Sequence, residues 1–445
     1  MQFNAKKGPK ETGIAIIKVI IAKGNLKIMD KNFNKLLDKY ANLIVETGIN
    51  IQKGQRLIIN APLDAKDLVE RLTFHAYERG SKAVNILWNH EKTSALHLKY
   101  QSLEELSTVD QHLIDQRNFY VNEGSAYISI VSPSVNAFDD VDALKISTSR
   151  TALMNAFKNQ RVYTMANKGQ WCVCAASNLA WARQIFGLGG TDAEVTDKLW
   201  NTIFNASRVT LDTDPNKNWI KHNQYLHQNN KILNEFQFDY LHFTSELGTD
   251  CKVYLVKDHI WAGGFETAQT GVIFNPNIPS EESFTMPDKH KTEGIVYASK
   301  PLEYSGKIVD RFYVKFEKGK VVDFNAEVGN DVLESILKSD KNASSIGEIA
   351  LIGYDTPISK MNILFSNTLY DENASCHMAL GAAYPMNIKN GYNLSDEQKE
   401  EAGCNVSITH VDFMFGTKDM NITGYTKDGV AVKVFENGNF ILEKL

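Results

Sequence analysis

The C-terminal part of the chain carries a histidine and an aspartate in the alternating sequence Ser407–Met414. Alternate side chains of a β-strand share a face, so His410 and Asp412 are predicted to lie about 7 Å apart at their Cα atoms and to converge on one point. An imidazole and a carboxylate so placed can bind a divalent metal ion or move a proton. A hydrogen-bonded pair on a partly solvated strand fits the same pattern.

Three further acidic residues occur where metal or proton chemistry is possible. Glu281 and Glu282 are adjacent in the Pro-bounded loop Asn277–Pro287, and Glu348 stands at the start of an apolar strand. Adjacent carboxylates can divide two roles, with one binding metal while the other takes a proton from water. Ordinary solvated charges are the alternative interpretation.

The segment Asp371–Pro385 places His377 and Tyr384 seven residues apart among small side chains. A capping asparagine and a terminating proline predict a helix here. Residues seven apart share a helical face but lie about 10.5 Å apart along the axis, which is too far for shared ligation. Either Tyr384 reaches back or the helix breaks at Gly381, and a packed or capping His377 is the alternative.

The elements that position these residues begin with a helical pattern from Asn32 to Glu46. A strand, a helix and a strand follow and predict a βαβ unit with a parallel sheet. The loop after the first strand lacks a glycine-rich phosphate cradle. The glycines before Thr191 precede a capping box with Glu194, which favours a turn between helices over a phosphate site. The predicted strands of this unit are Arg56–Ala61 and Ala83–Trp88, and the predicted helix between them is Asp64–Arg79. Further alternation of strand and helix is predicted over Ala126–Val131, Ser149–Lys158 and Asn178–Phe186.

The second half of the chain is predicted to be α+β with antiparallel strands. Hairpin turns are indicated at Lys318-Gly319, Asp428-Gly429 and Asn437-Gly438. We therefore expect an α/β domain over residues 29–255 and a metal-binding catalytic domain over residues 256–445, with the boundary near 245–265.

Composition narrows the class of protein. The 445 residues include 48 Lys+Arg and 53 Asp+Glu, a net charge of −5, with 43% hydrophobic residues and pI ≈ 6.2. These values exclude a disordered polymer and argue against a dedicated nucleic-acid binder. The apolar run Ile14–Ala22 is interrupted by Lys18 and is too short to span a bilayer, so residues 1–28 are predicted to be a disordered extension. Five cysteines without a zinc-ribbon spacing indicate free thiols, which favours a location in the cytoplasm. No association with a membrane is expected.

Together these motifs resemble the M29 aminopeptidases, the group of aminopeptidase T, PepS and AmpS. The resemblance runs from about Asn32 to the C-terminus, and its most specific part is the uninterrupted segment Thr368–Pro385. It also includes Gly54-Gln55, the loop Asn277–Pro287, Gly347-Glu348 and the terminal His-x-Asp strand.

The resemblance implies six metal ligands, two divalent ions and a homodimer that encloses its active sites. Oxygen and nitrogen ligands of this kind suit Zn, Co or Mn, and six are about right for two ions that share a bridging carboxylate. The implied ligands are Glu282, Glu348, His377, Tyr384, His410 and Asp412.

The expected function is a metal-dependent aminopeptidase that hydrolyses the N-terminal peptide bond of short peptides through a metal-activated water. We predict Glu281 as the catalytic base, because it is adjacent to the ligand Glu282. Two alternatives remain at this point. One is another two-metal hydrolase, acting on phosphate esters or non-peptide amides, and the other is a non-catalytic metal-binding protein.

Overall fold

The structure is a computed structural model that describes residues 31–133, 137–304 and 306–442. The extension predicted for residues 1–28 lies outside the described residues. Within the described ranges, no helix is both long and apolar enough to cross a membrane.

The first sheet is parallel and has the strand order β2-β1-β3-β4. This confirms the predicted βαβ unit. Leu57, Ile58 and Ile59 of the central strand β1 are fully buried, as expected for a strand covered on both faces. The strands are Arg56–Pro62 (β1), Ala83–Asn89 (β2), Ala126–Val131 (β3) and Trp171–Ala175 (β4).

Helices of the first half pack against this sheet through apolar side chains such as Leu37, Leu72 and Trp181. The predicted capping box of Thr191 and Glu194 is present at the start of the ninth helix. The helices are 31–43 (α1), Lys66–Glu78 (α2), Glu91–Tyr100 (α3), Leu103–Leu106 (α4), Gln111–Asn122 (α5), Ala143–Ala156 (α6), Lys158–Met165 (α7), Leu179–Phe186 (α8), Asp192–Ala206 (α9) and Pro215–Phe236 (α10).

Strands dominate the rest of the chain, as predicted, and the three predicted hairpins are present. The strands are Tyr240–Thr244 (β5), Asp250–Tyr254 (β6), Glu266–Thr267 (β7), Ile273–Phe274 (β8), Ser283–Thr285 (β9), Glu293–Tyr297 (β10), Leu302–Tyr304 (β11), Lys307–Glu317 (β12), Lys320–Val328 (β13), Ile346–Leu351 (β14), His377–Gly381 (β15), His410–Met414 (β16), Asn421–Tyr425 (β17), Ala431–Glu436 (β18) and Asn439–Phe440 (β19). The helices are Asn330–Leu337 (α11), Pro357–Met361 (α12), Thr368–Asp371 (α13) and Asp396–Glu401 (α14).

These strands form a large sheet, a small sheet and a two-stranded ribbon. The large sheet has nine strands in the order β11-β12-β10-β6-β5-β17-β18-β19, with β13 paired to β12. The small sheet has the order β16-β15-β14-β9, and all its pairs are antiparallel. β7 pairs with β8. Each strand of the small sheet contains a predicted ligand or directly follows one, since Glu282 precedes β9 and Glu348, His377 and His410 lie in β14, β15 and β16.

The helix predicted across Asp371–Pro385 is wrong in its central part. Helical structure stops at the short 3₁₀ turn Glu372–Ala374, and His377–Gly381 form strand β15. β15 hydrogen-bonds to β14 on one edge and to β16 on the other. Small and unbranched residues are locally compatible with a helix, but pairing on both edges and full burial favour a strand.

The division of the chain near residue 255 stays a prediction. β5 and β6, which that division assigns to the first domain, pair with β17 and β10 in the large sheet. The core beneath the parallel sheet in turn includes Phe365 and Tyr370 from the second half of the chain. The hydrogen bonding and packing of these elements therefore cross the predicted boundary.

Candidate metal centre

The small sheet gathers acidic and imidazole side chains on one face. Asp412 and Glu348 each lie opposite Ala379 of the central strand β15, and His410 lies opposite Gly381. His377 is on the same face of β15, because residues two and four apart along a strand point the same way. The central strand thus contributes small residues between the charged ones, which leaves space above the sheet.

The nitrogen and oxygen atoms of this cluster approach one another closely. The His377 Nε2 atom lies 3.3 Å from Glu348 Oε1 and 3.5 Å from Glu282 Oε2. The His410 Nε2 atom lies 3.3 Å from Asp412 Oδ1 and 3.7 Å from Glu348 Oε2. Glu282, Glu348 and His377 each offer a ligand atom within 4.8 Å of the others. Five of the six predicted ligands therefore meet in one place.

Tyr384 stands at the edge of this cluster. It follows the end of β15 by three residues, its ring centroid is 4.8 Å from that of His410, and it is 40% exposed. Burial of the hydroxyl and the nearby carboxylate of Glu348 raise the pKa of Tyr384. A cation beside this oxygen would be needed to favour its ionised form.

The electrostatics of the cluster are those of carboxylates with too little positive charge nearby. Burial raises the pKa of Glu282 to about 8. Burial lowers the pKa of His377, but the hydrogen bond to Glu348 and the surrounding carboxylates outweigh it and raise that pKa to about 9. For His410, Asp412 likewise outweighs burial and raises the pKa to about 10. Protons thus supply charge that a divalent cation would supply instead.

Unsatisfied atoms support the same interpretation. Glu348 Oε2, His377 Nδ1 and Asp412 Oδ1 are buried and have no hydrogen-bond partner among the described residues. His410 Nδ1 lies 2.7 Å from the carbonyl oxygen of Ala382, so a proton on Nδ1 leaves Nε2 free to coordinate. Buried polar groups are normally satisfied, and oxygen and imidazole donors suit divalent ions, so these residues fit a metal site.

Glu281 is not brought into this cluster. Its carboxylate accepts two hydrogen bonds from the Arg208 guanidinium, both 2.7 Å long, and its Oε2 lies 3.5 Å from His222 Nε2. Its side chain is 1% exposed. Successive side chains of a chain that runs into a strand point to opposite sides, so Glu282 faces the cavity while Glu281 faces the arginine.

Glu372 is an acidic residue that the sequence reasoning missed. It lines the cavity beside the predicted ligands, and it has no hydrogen-bond partner among the described residues. Burial and the carboxylates of Glu282 and Asp412 raise its pKa. Its position five residues before His377, inside the most specific motif of the chain, is the signal that could have identified it.

The cluster opens into a cavity of about 440 Å³. Glu282, Glu348, His410 and Asp412 form one part of its wall, and apolar and aromatic side chains form much of the rest. A second cavity, of about 350 Å³, shares Glu372, Tyr384, His410 and Asp412 with the first. The cluster therefore borders both cavities.

Comparison with known proteins now decides the family. The sequence profile described as "Thermophilic metalloprotease (M29)" matches residues 33–440. The chain belongs to the peptidase M29 family. It is 40% identical to aminopeptidase AmpS of Bacillus subtilis (strain 168) over 409 residues, which cover 92% of this chain and 99% of AmpS.

Two further M29 proteins show the same likeness. Aminopeptidase 2 of Geobacillus stearothermophilus is 42% identical over 411 residues, which cover 92% of this chain and 99% of that enzyme. The solved structure of AmpT from Thermus thermophilus matches with a TM-score of 0.85 and 32% identity, covering 92% of this chain and all of that one. The expected family is thereby confirmed, along with the parallel sheet and the mixed α/β content of the fold.

Proposed function

We propose that this M29 protein hydrolyses the N-terminal peptide bond of short peptides at the centre formed by the small sheet. The family and the curated aminopeptidases that resemble the chain over nearly its whole length confirm the predicted class, a metal-dependent aminopeptidase. The observation that carries the proposal is the cluster of Glu282, Glu348 and His377, of which Glu282 and Glu348 line the cavity. The family match and the similar aminopeptidases do not favour a phosphate-ester hydrolase or a non-catalytic metal-binding protein.

We propose as metal ligands the six residues named from the resemblance. Divalent ions held there supply a Lewis acid and acidify water. We propose two ions, chosen from Zn, Co or Mn, since six oxygen and nitrogen donors exceed what one tetrahedral ion with an open position uses. The ligands are Glu282, Glu348, His377, Tyr384, His410 and Asp412.

We propose Glu372, in place of Glu281, as the residue that takes a proton from the attacking water and returns it to the nitrogen of the leaving amine. Its carboxylate lies on the wall of both cavities and is not engaged by a described hydrogen bond. The carboxylate of Glu281 is occupied by Arg208. A base must reach the water whose proton it removes, and the position of Glu372 on the wall of both cavities supports this role.

We further propose that the protein is a homodimer in the cytoplasm. The homodimer rests on the resemblance to the M29 group. The cytoplasmic location is supported by five buried cysteines, all of them free. Analytical ultracentrifugation of the purified protein tests the dimer, and a sedimentation coefficient of a 50 kDa particle would contradict it.

The deciding experiment measures metal content and peptide hydrolysis for the wild type and for Glu282→Gln. We expect the wild type to release the N-terminal residue from aminoacyl-p-nitroanilides and short peptides, to lose this activity on chelation, and to regain it with added metal. Glu282→Gln is expected to lose both metal and activity. Glu70→Gln, an exposed carboxylate on α2, is the matched control. Hydrolysis of p-nitrophenyl phosphate but not of peptides, or full activity of Glu282→Gln, would contradict the proposal.

A further inference from the structure

The part of the cavity away from the metal cluster has its own character, and we call it the outer end. It is formed by residues that contact one another. The Tyr392 hydroxyl donates a hydrogen bond to the Met165 carbonyl oxygen at 3.2 Å, and the Trp171 indole donates to Asn167 Oδ1 at 3.0 Å. Its residues are Val162, Met165, Asn167, Trp171, Glu266 and Tyr392.

Glu266 is the carboxylate of this outer end. It stands on β7, and its Oε2 accepts a hydrogen bond of 3.2 Å from Asn167 Nδ2. The Oδ1 atom of the same Asn167 amide accepts the hydrogen bond from the Trp171 indole, so the amide is fixed with its Nδ2 donating to Glu266. Among the described residues, no lysine, arginine or histidine forms an ion pair with Glu266. A partly buried carboxylate without a cationic partner loses hydration that is not replaced, which indicates a role for the charge.

Glu266 is separate from the metal ligands. Ala262 exchanges hydrogen bonds with Phe284, two residues beyond Glu282. Glu266 follows Ala262 by four residues and lies on β7, which pairs with β8 and is not part of the small sheet. Burial raises the pKa of Glu266 to about 7 and the Asn167 amide lowers it, with no contribution from the carboxylates of the cluster. It shares the cavity with the ligands but does not belong to their site.

The apolar side chains around Glu266 can pack against the methylene groups of a long cationic residue. Met165 and Val162 remain 54% and 45% exposed at this end, although both are apolar, so they have surface to offer a ligand. Lysine and arginine carry three or four methylene groups before the charge, and they bury this stem against apolar walls while the head finds a polar partner. Glu266 and the carboxylates of the cluster line the same cavity of about 440 Å³, which has room for such a stem.

We propose that Glu266 is a specificity-determining residue that binds the cationic side chain of an N-terminal lysine or arginine. The ammonium or guanidinium group pairs with the Glu266 carboxylate, and the apolar residues Val162, Met165 and Trp171 pack on the methylene stem. This inference rests on the proposed function, because it assigns the terminal residue of the peptide to the outer end while its scissile bond lies at the cluster.

The test compares substrates that differ only in the charged group. Lysine and norleucine 7-amido-4-methylcoumarin share the α-amine, the leaving group and the chain length. We expect the ratio of kcat/KM for lysine over norleucine to fall at least about 30-fold in Glu266→Gln, because a buried charge loses its partner. The ratio should stay at its wild-type value in Glu70→Gln. A ratio within about threefold of wild type in Glu266→Gln would overturn the inference and leave the proposed function intact.

Two further measurements keep the inference testable if the variant folds poorly or if hydrolysis is not seen. Calorimetric binding of lysinamide and norleucinamide to the wild type does not depend on turnover, and equal affinities would overturn the inference. In the wild type, the lysine over norleucine ratio should rise between about pH 5.5 and pH 8 as Glu266 ionises. Asn167 and Tyr392 are the polar groups that face Glu266, and neither ionises in this range. A lysine over norleucine ratio that does not change between pH 5.5 and pH 8 would also overturn the inference.

Discussion

Replacing Glu281 tests whether this residue stabilises the fold through Arg208 or acts as the catalytic base. The Arg208–Glu281 pair is buried, with side chains 19% and 1% exposed, and is joined by two hydrogen bonds of 2.7 Å. Breaking a buried pair by removing one partner costs about 3–5 kcal/mol, because a charge is left without compensation. Glutamine keeps the shape and one acceptor, so we expect Glu281→Gln to lower the free energy of unfolding by about 3 kcal/mol.

The assay combines denaturant unfolding with metal content and turnover. Arg208→Met should also destabilise the protein, and the double variant should lose less than the sum of the two single changes, since the pair is then absent as a whole. With metal content restored, Glu281→Gln should keep turnover within about tenfold of wild type, whereas Glu372→Gln should lose at least about 100-fold in kcat. Wild-type stability together with abolished turnover in Glu281→Gln would refute this reasoning and restore Glu281 as the base.

Three other outcomes follow from the site. Chelation should lower Tm, because it removes an ion that binds the folded protein, and metal at about 100 times its Kd should restore about 2.7 kcal/mol by calorimetry. Gly263→Ala should destabilise the protein by about 3 kcal/mol in denaturant unfolding, because Gly263 has φ +134° and a Cβ would lie 2.0 Å from the Glu282 carbonyl oxygen. Finally, a carboxyl whose pKa is raised from 4.5 to about 7 costs stability as pH rises through this window, so the stability of Glu266→Gln relative to wild type should increase by about 2 kcal/mol from pH 5 to pH 8. An unchanged Tm, a wild-type unfolding curve or a pH-independent difference would contradict these three in turn.

Much of the architecture was readable from local pattern. Buried apolar runs separated by an amphipathic helix gave the parallel pairing of β1 and β2, and turn residues placed the hairpins at Gly319 and Gly429. The alternation of His410 and Asp412 also predicted their common face correctly. These features depend on neighbours in the chain, so short-range physics determines them.

The segment around His377 shows where local pattern was insufficient. Its composition is compatible with a helix, and only the hydrogen bonds offered by β14 and β16 on both sides make it a strand. As a strand it brings His377 to Glu348 without the long axial separation that a helix would impose. The pairing partners lie about 30 residues away in each direction, and no local rule identifies them.

The sequence by itself determined which residue types are present for metal chemistry and, through the resemblance, which family they belong to. The tertiary structure decided how those residues are used. It turned Glu282 towards the cavity and Glu281 towards Arg208, and it placed Glu372 and Glu266 on the same cavity wall from distant parts of the chain. The physical reason is that side-chain direction depends on strand pairing, and that charges are stabilised by partners which the fold alone brings near.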